Sequence, residues 1–485
     1  MHAIMLQGTA SHVGKSILAA AFCRIFFQDK KSVAPFKAQN MALNSFVTRD
    51  GLEMGRAQVV QAEAAGLDPI VEMNPVLLKP TGNAESQVII EGKPVGNMSA
   101  REYHKGYSLK AFDAVKKSLE TLRKKFEVLV IEGAGSPAEV NLKSHDIVNM
   151  RVAKYLNAPV ILVADIDRGG ALASVVGTLE LLEPDERELV KAVIINKFRG
   201  DVSLFEPAVK FLESKTGKKI LGVIPHIDNL GIDDEDSVSL DEKTSENTAR
   251  DVKIAVVRLP KISNFTDFDA FDGESDVALK YCSTTEEIRE FDPDVIILPG
   301  SKNTSEDLDF LKRSGIFAMI KNFSGIIIGI CGGYQMLGRK IFDPHHIESN
   351  RDEIDGFGFF DFETTFDEKK ITRQIFLDRV TINILNTDLI FENIDGYEIH
   401  SGVSTAGRIS TSEKIFGTYI HGIFDNDNLR RQILNLIRAQ KNLQPIDSKR
   451  NFRAEKQRAY NRLADVVRNS VDMDLLYKIL GDSKC

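Results

Sequence analysis

Ala3-Ile4-Met5-Leu6-Gln7-Gly8-Thr9-Ala10-Ser11-His12-Val13-Gly14-Lys15-Ser16-Ile17-Leu18 places an apolar run, a glycine-bounded loop and the start of an apolar helix in direct succession. The order carries the meaning. Residues 3–6 read as a buried strand and residues 17–27 as a packed helix. A loop between them that ends in Gly14-Lys15-Ser16 turns backbone N–H groups and a helix N-terminus toward one point, surrounding phosphate oxygens with partial positive charge. Lys15 then reaches the terminal phosphates, and the Ser16 hydroxyl can hold a magnesium ion. Gly8, Thr9, Gly14, Lys15 and Ser16 are the expected ATP contacts.

Further along, Val128-Leu129-Val130-Ile131, Pro159-Val160-Ile161-Leu162-Val163 and Ala192-Val193-Ile194-Ile195 read as buried strands, each ending in a polar or glycine-rich loop. Longer amphipathic segments separate them. The alternation predicts a parallel sheet with helices on both faces, with ligands gathered beyond the carboxyl ends of the strands. Glu132 closes the first of these strands, where a carboxylate could join Ser16 as a magnesium ligand, since hard Mg²⁺ prefers oxygen. Asp165 is a weaker candidate for the same neighbourhood. Asn196 follows the third strand, and its amide could offer both donor and acceptor to an adenine edge.

Residues 231–251 are rich in Asp, Glu, Ser and Thr without apolar periodicity, and read as a linker. A second α/β domain follows over 252–443, with strands at Lys253-Ile254-Ala255-Val256-Val257, Val295-Ile296-Ile297-Leu298 and Gly325-Ile326-Ile327-Ile328. The expected plan is a P-loop domain over 1–230, the linker, this second domain, and a helical segment over 444–485. That last segment carries Arg450, Arg453, Lys456, Arg458 and Arg462, and reads as basic helices with a solvated face.

Gly329-Ile330-Cys331-Gly332-Gly333 has the form of a strand-to-helix nucleophile elbow. Small neighbours permit a strained turn that presents the thiol, and the following helix N-terminus favours the thiolate. Backbone N–H groups at Gly332 and at Gly300 or Ser301 could receive an oxyanion. The nucleophile needs a base. His400 and His421 both follow strand-like segments, and spacing alone does not choose between them. Cys23, Cys282 and Cys485 sit in no such context and read as packing or surface residues.

At 485 residues the chain needs more than one core. Its net charge of -8 argues against a nucleic-acid partner. No apolar stretch reaches the about 18 residues of a membrane span, so a cytoplasmic protein is expected. Four scattered cysteines without zinc spacing fit a reducing compartment.

Together these segments resemble the cobyric acid synthase family of cobalamin biosynthesis. The resemblance runs over nearly the whole chain. It is carried by the phosphate loop, by Pro35-Phe36-Lys37-Ala38-Gln39-Asn40-Met41, Asn74-Pro75-Val76-Leu77-Leu78-Lys79-Pro80, Val130-Ile131-Glu132-Gly133-Ala134-Gly135-Ser136-Pro137-Ala138-Glu139, Asp165-Ile166-Asp167-Arg168-Gly169-Gly170 and Ile195-Asn196-Lys197-Phe198-Arg199-Gly200-Asp201, and by the cysteine and histidine segments. Counted from Gly8, the phosphate loop is longer than G-x4-GK[ST] and is similar to the variant loop of the dethiobiotin synthetase group. The resemblance implies a P-loop parallel-sheet domain of that type followed by a class I glutamine amidotransferase-like, flavodoxin-like α/β domain. It implies ATP, Mg²⁺ and L-glutamine, and amidation of the b, d, e and g carboxylates of adenosylcobyrinic acid a,c-diamide, a corrinoid. It makes Cys331 the nucleophile and His421 its base, leaves His400 structural or substrate-lining, and puts Gln335 near glutamine.

The glutamate that usually follows the histidine is Ile423 here, which leaves the group orienting His421 open, with Glu398 and Asp425 as guesses. Oligomeric state is open too, a homo-oligomer included. The nearest enzyme alternative is cobyrinic acid a,c-diamide synthase. A non-catalytic P-loop nucleotide switch is the alternative of another class, although such switches carry an extra lysine where this chain has Thr9 or Ala10.

Overall fold

The computed structural model describes residues 1–82, 85–228, 230–233 and 250–481. Most of the expected linker, and Cys485, lie outside the described residues.

In the first half, the strands Lys219–Pro225, Val190–Phe198, Val160–Asp165, His2–Gly8, Val128–Glu132 and Val33–Phe36 lie side by side in that order. Every pairing in this sheet is parallel. Successive side chains of a strand point to opposite faces. Ala3 and Met5 accordingly enter one apolar core, while Ile4 and Leu6 enter the other. Leu129 and Ile131 likewise part from Val128 and Val130. Burial on both faces is why these strands read as unbroken apolar runs rather than alternating ones. The register sets Glu132 opposite Leu6 and Asn196 opposite Asp165, so all the strand-end candidates sit at one edge, around the phosphate loop.

The second half repeats the principle with another order. The strands Val277–Cys282, Val252–Val257, Val295–Leu298, Ile326–Ile330 and Ile415–Thr418 are adjacent and parallel, and Ile409–Ser412 closes one edge antiparallel. Numbered along the chain, the five parallel strands run second, first, third, fourth, fifth. That is the flavodoxin-like order, whose crevice opens where the direction of winding reverses, between the first and third strands.

A long antiparallel hairpin, Glu363–Ile384 with Thr387–Ser404, leaves this domain and lies against the first one. Thr372 Oγ1 donates to the Gly51 carbonyl at 2.6 Å and the Tyr397 hydroxyl to the Ser45 carbonyl at 3.2 Å.

The C-terminal segment corrects an expectation. It is neither a separate unit nor wholly solvated. The helix Phe452–Ser470 returns to the first domain, where Tyr460, Leu463 and Val467 join the core formed by the helix Lys15–Gln28. Lys456 is buried and bonds Asp233 at 3.0 Å, with Arg56 on the same carboxylate oxygen at 2.6 Å. Burial would raise Asp233, but Lys456 and Arg56 hold it below the usual carboxylate range. Only the outward positions behave as the charge pattern suggests: Arg458 and Arg462 are exposed. The amphipathic period of this helix, rather than its charge content, decides its fate. Among the described residues, no helix is long and apolar enough to cross a membrane.

Candidate active site

Cys331 stands where the strand Ile326–Ile330 turns into the helix Gly332–Leu337. Its φ of 51° and ψ of -106° are a backbone state that a residue with a side chain seldom adopts. The strain is tolerated because the surroundings fix it: the Cys331 N–H donates to the Thr418 carbonyl at 2.8 Å, and the Gly333 N–H to Pro299 at 3.0 Å.

His421 follows the neighbouring strand Ile415–Thr418. It exchanges backbone hydrogen bonds with Tyr397 and stacks on that ring at 5.3 Å. Its Nδ1 is 2.6 Å from Asp267 Oδ2, and Asp267 Oδ1 accepts from the Gly422 N–H at 2.9 Å. The Cys331 sulfur acts on the same imidazole, and its thiol donates to the Ile399 carbonyl at 3.5 Å. Burial would lower the His421 pKa, but the Asp267 carboxylate and the Cys331 sulfur raise it to about 10. A sulfur, an imidazole and a carboxylate are therefore brought together, each less than a tenth exposed.

Neither guessed orienting group holds this place. Glu398 is bound between Arg373 and Arg408, at 2.5 Å from each. The imidazole Nδ1 is held by Asp267 instead of Asp425, and burial lifts Asp425 to about 7 against the pull of Lys456 and Arg56. Asp267 carries no strong sequence signal. It comes from the short turn Phe265–Phe268, in the loop after Val252–Val257, and reaches across the crevice that the strand order opens.

The two histidines, equal by spacing, differ in surroundings. His400 Nδ1 is 2.6 Å from the Gly402 carbonyl, and its ring stacks on Tyr419 at 3.9 Å. Burial lowers its pKa to about 4. It lines a small cavity beside Cys331 together with Gln335, Ser301, Lys302 and Glu348. Gln335 accepts from Thr304 Oγ1 at 3.3 Å and donates to the Tyr419 hydroxyl at 3.4 Å. Burial raises Glu348 to about 7, and burial lowers Lys302. Gly300 and Gly332 flank the sulfur and the imidazole. A Cβ at Gly300 would come within 3.1 Å of His421 Cε1, so only glycine allows the ring this approach.

The first domain reaches this cavity. Lys79 and Lys370 line it from opposite sides of the junction, and both bond Glu53, at 3.0 and 2.5 Å. Glu53 is fully buried, and this pair of cations overcomes its burial to bring it to about 2.

At the phosphate loop, Lys15 Nζ donates to the carbonyls of Ala10 at 3.0 Å and Gly135 at 3.1 Å. Ser16 Oγ donates to Glu132 Oε1 at 2.7 Å. Lys37 Nζ meets the same oxygen at 2.8 Å, and Gln61 Nε2 donates to Glu132 Oε2 at 2.6 Å. A hydroxyl and a carboxylate converging at the loop fit Mg²⁺, which takes one or two protein oxygens and fills its octahedron with phosphate and water. Sequence reasoning does not single out Lys37 or Gln61, because neither belongs to a local motif of the loop. A Cβ on Gly8 would lie 2.7 Å from both Lys15 Nζ and the Ala10 carbonyl, so the loop closes only over glycine.

Two expected ATP contacts also bond within the chain. The Thr9 N–H donates to the Val163 carbonyl at 2.9 Å. The Asn196 amide nitrogen donates to the Val13 carbonyl at 2.9 Å, which braces the loop and leaves the side-chain oxygen and the second N–H for an adenine. Asp165 is taken by Lys197 at 2.8 Å.

Residues 4–239 match the CobQ/CobB/MinD/ParA nucleotide binding domain, and residues 253–429 the CobB/CobQ-like glutamine amidotransferase domain. The chain is 51% identical to the cobyric acid synthase of Moorella thermoacetica, with 99% of this chain and 97% of that protein covered. It is 52% identical to that of Desulfitobacterium hafniense, over 99% and 98%. For Carboxydothermus hydrogenoformans the identity is 51%, with 99% of each chain covered.

Proposed function

The chain belongs to the cobyric acid synthase family, and on that premise we propose that it amidates the b, d, e and g carboxylates of adenosylcobyrinic acid a,c-diamide, using ATP and glutamine. The observation that carries the reading is the presence, on one chain, of an assembled Cys331–His421–Asp267 set and a phosphate loop. We read 1–230 as the synthetase domain and 252–443 as the amidotransferase domain, with the C-terminal helices completing the first. Its two small-molecule donors are abundant in the cytoplasm, which is where we place it.

In the amidotransferase half, Cys331 is the nucleophile. Its proton passes to His421, and Asp267 stabilises the imidazolium that results. The thiolate adds to the glutamine carboxamide, and backbone N–H groups at Gly300 and Gly332 receive the oxyanion. Collapse of the adduct breaks the C–N bond, and His421 returns its proton to the departing nitrogen, which leaves as ammonia. Water then hydrolyses the thioester to glutamate. Gln335 positions the bound glutamine, and Lys302 and Glu348 match its α-carboxylate and ammonium.

In the synthetase half, a corrinoid carboxylate attacks the γ-phosphorus of ATP and expels ADP. The acyl phosphate so formed loses phosphate to attacking ammonia. Gly8, Thr9, Gly14, Lys15, Ser16 and Asn196 form the nucleotide site, with Lys15 stabilising charge on the transferred group. Ser16 and Glu132 would hold Mg²⁺, which would supply charge neutralisation at the phosphate oxygens.

The test uses the mass of the corrinoid after incubation with ATP and either glutamine or ammonia. Cys331→Ala should abolish amidation from glutamine and retain it from ammonia. A folded variant that loses both would refute the assignment of the sulfur to glutamine hydrolysis.

A further inference from the structure

On the side of the phosphate loop toward Val128–Glu132 and Val33–Phe36, a cleft of about 550 Å³ opens between two turns. This lies within the about 300–1,000 Å³ of small-molecule pockets. Gly135 and Ser136 form its inner end, and the Gly135 carbonyl is a partner of Lys15 at 3.1 Å. Asp165, Asn196 and Lys197 lie on strands across the loop from it. A nucleotide extending from the loop toward Asn196 leaves the cleft side open to the molecule that accepts the phosphoryl group.

The walls are matched to an amphiphilic acid. One wall is the distorted turn Tyr103–Tyr107, broken at Gly106 with φ 124°. The other is the turn Lys143–His145, held because Asp146 accepts N–H bonds from Val148 at 2.8 Å and Asn149 at 2.9 Å. His104 and His145 come from these opposite turns, with ring centroids 6.3 Å apart. The Nδ1 atoms of both are buried without a hydrogen-bond partner among the described residues. Buried polar atoms are ordinarily paired, so two neighbouring imidazoles that each keep one nitrogen without a partner mark a place where a ligand supplies it. The cations Lys143 and Lys154 are already bridged by Glu186, at 2.7 and 3.2 Å. The ring nitrogens of His104 and His145 are then available to read the ligand. Leu142 lines the cleft and is 42% exposed, an apolar edge with no polar task.

We propose that this cleft takes the corrinoid, with His104 and His145 hydrogen-bonding the carboxyl group offered to the phosphate loop and Leu142 lying against the macrocycle. The inference rests on the function proposed above and adds where its substrate docks. Because an imidazole nitrogen can donate or accept, the same pair can hold an acid before amidation and an amide after it.

Equilibrium dialysis of the full chain against adenosylcobyrinic acid a,c-diamide tests this, with the KM for glutamine as the second readout. His104→Ala and His145→Ala should each weaken corrinoid binding about tenfold, the effect of one hydrogen bond. Leu142→Glu, a surface change that leaves the fold intact, should weaken it as well by setting a negative charge against the substrate's acids. Phe211→Glu, at an exposed residue outside the cleft, should not. The glutamine KM should stay constant in all. If wild type amidates the corrinoid while His104→Ala, His145→Ala and Leu142→Glu bind it as wild type does, the cleft is not the dock, and the proposed function stands. If wild type neither binds nor amidates it, the function itself falls and takes the dock with it.

Discussion

The cysteine centre is completed by the chain's own groups, whereas the phosphate loop is held by bonds that its ligand must exchange. At the first, His421 lies between Asp267 and Cys331, and Tyr397 clamps its backbone. At the second, Lys15 donates to carbonyls and Ser16 to Glu132. The difference follows from the tasks. Thioester chemistry needs a nucleophile and base aligned in advance, because misplacement by about 1 Å costs orders of magnitude. Phosphoryl transfer needs charge placed around a strongly anionic group that arrives from solution, so the loop can keep its cations bonded internally until then.

If that contrast is right, damage at one centre should not spread to the other. Asp267→Asn gives the sharpest test. An asparagine can donate to Nδ1 and fix the wrong imidazole tautomer, a change that lowers turnover by about 10⁴ where a carboxylate orients a catalytic histidine. Glutamine-driven amidation should fall by that order, while ammonia-driven amidation stays at the wild-type rate. A matching loss of the ammonia reaction would break the separation.

Lys15→Ala makes the reciprocal case with a smaller effect. Removing one preorganised donor costs about 10²–10³. Both nitrogen sources should suffer alike, because activation of the acid precedes either. Glutamine hydrolysis measured without ATP should persist. If hydrolysis also stops, the phosphate loop controls the cysteine centre and the two are not independent.

The same contrast explains what can be read from sequence. The loop at Gly8–Ser16 and the elbow at Cys331 are local: strand, turn and helix follow in order, and the residue types have few other uses there. Asp267 is not local. It meets a histidine 154 positions away, from a turn that also holds Phe265, Thr266 and Phe268 and whose place depends on the strand order. A buried acid between phenylalanines after the first strand of a flavodoxin-like sheet is the available clue. Asn196 is the intermediate case, since its position is legible but the bond its amide makes to the Val13 carbonyl is not. The C-terminal helix misleads wherever charge is weighed above period, although Phe452, Tyr460, Leu463 and Val467 recur on one face.

His400 and His421 offer the finest cut, since they read alike in sequence and share one site but should respond to pH with opposite sign. His421 is raised from the ordinary histidine value of about 6.5 to about 10, burial being overcome by Asp267 and Cys331. Between those values the folded chain binds the extra proton, so this contribution to stability is whole below about 6.5 and is lost as pH rises through about 10. His400 is lowered by burial to about 4. Between about 4 and 6.5 the unfolded chain binds the extra proton, so its contribution is present above about 6.5 and is lost as pH falls through about 4. Denaturant titrations across pH should therefore show His421→Gln flattening the alkaline decline and His400→Gln flattening the acid one. Each change should be modest beside the catalytic losses above. If both substitutions act on the same side of neutrality, the two rings do not sit in the distinct environments that single out His421 as the partner of the sulfur.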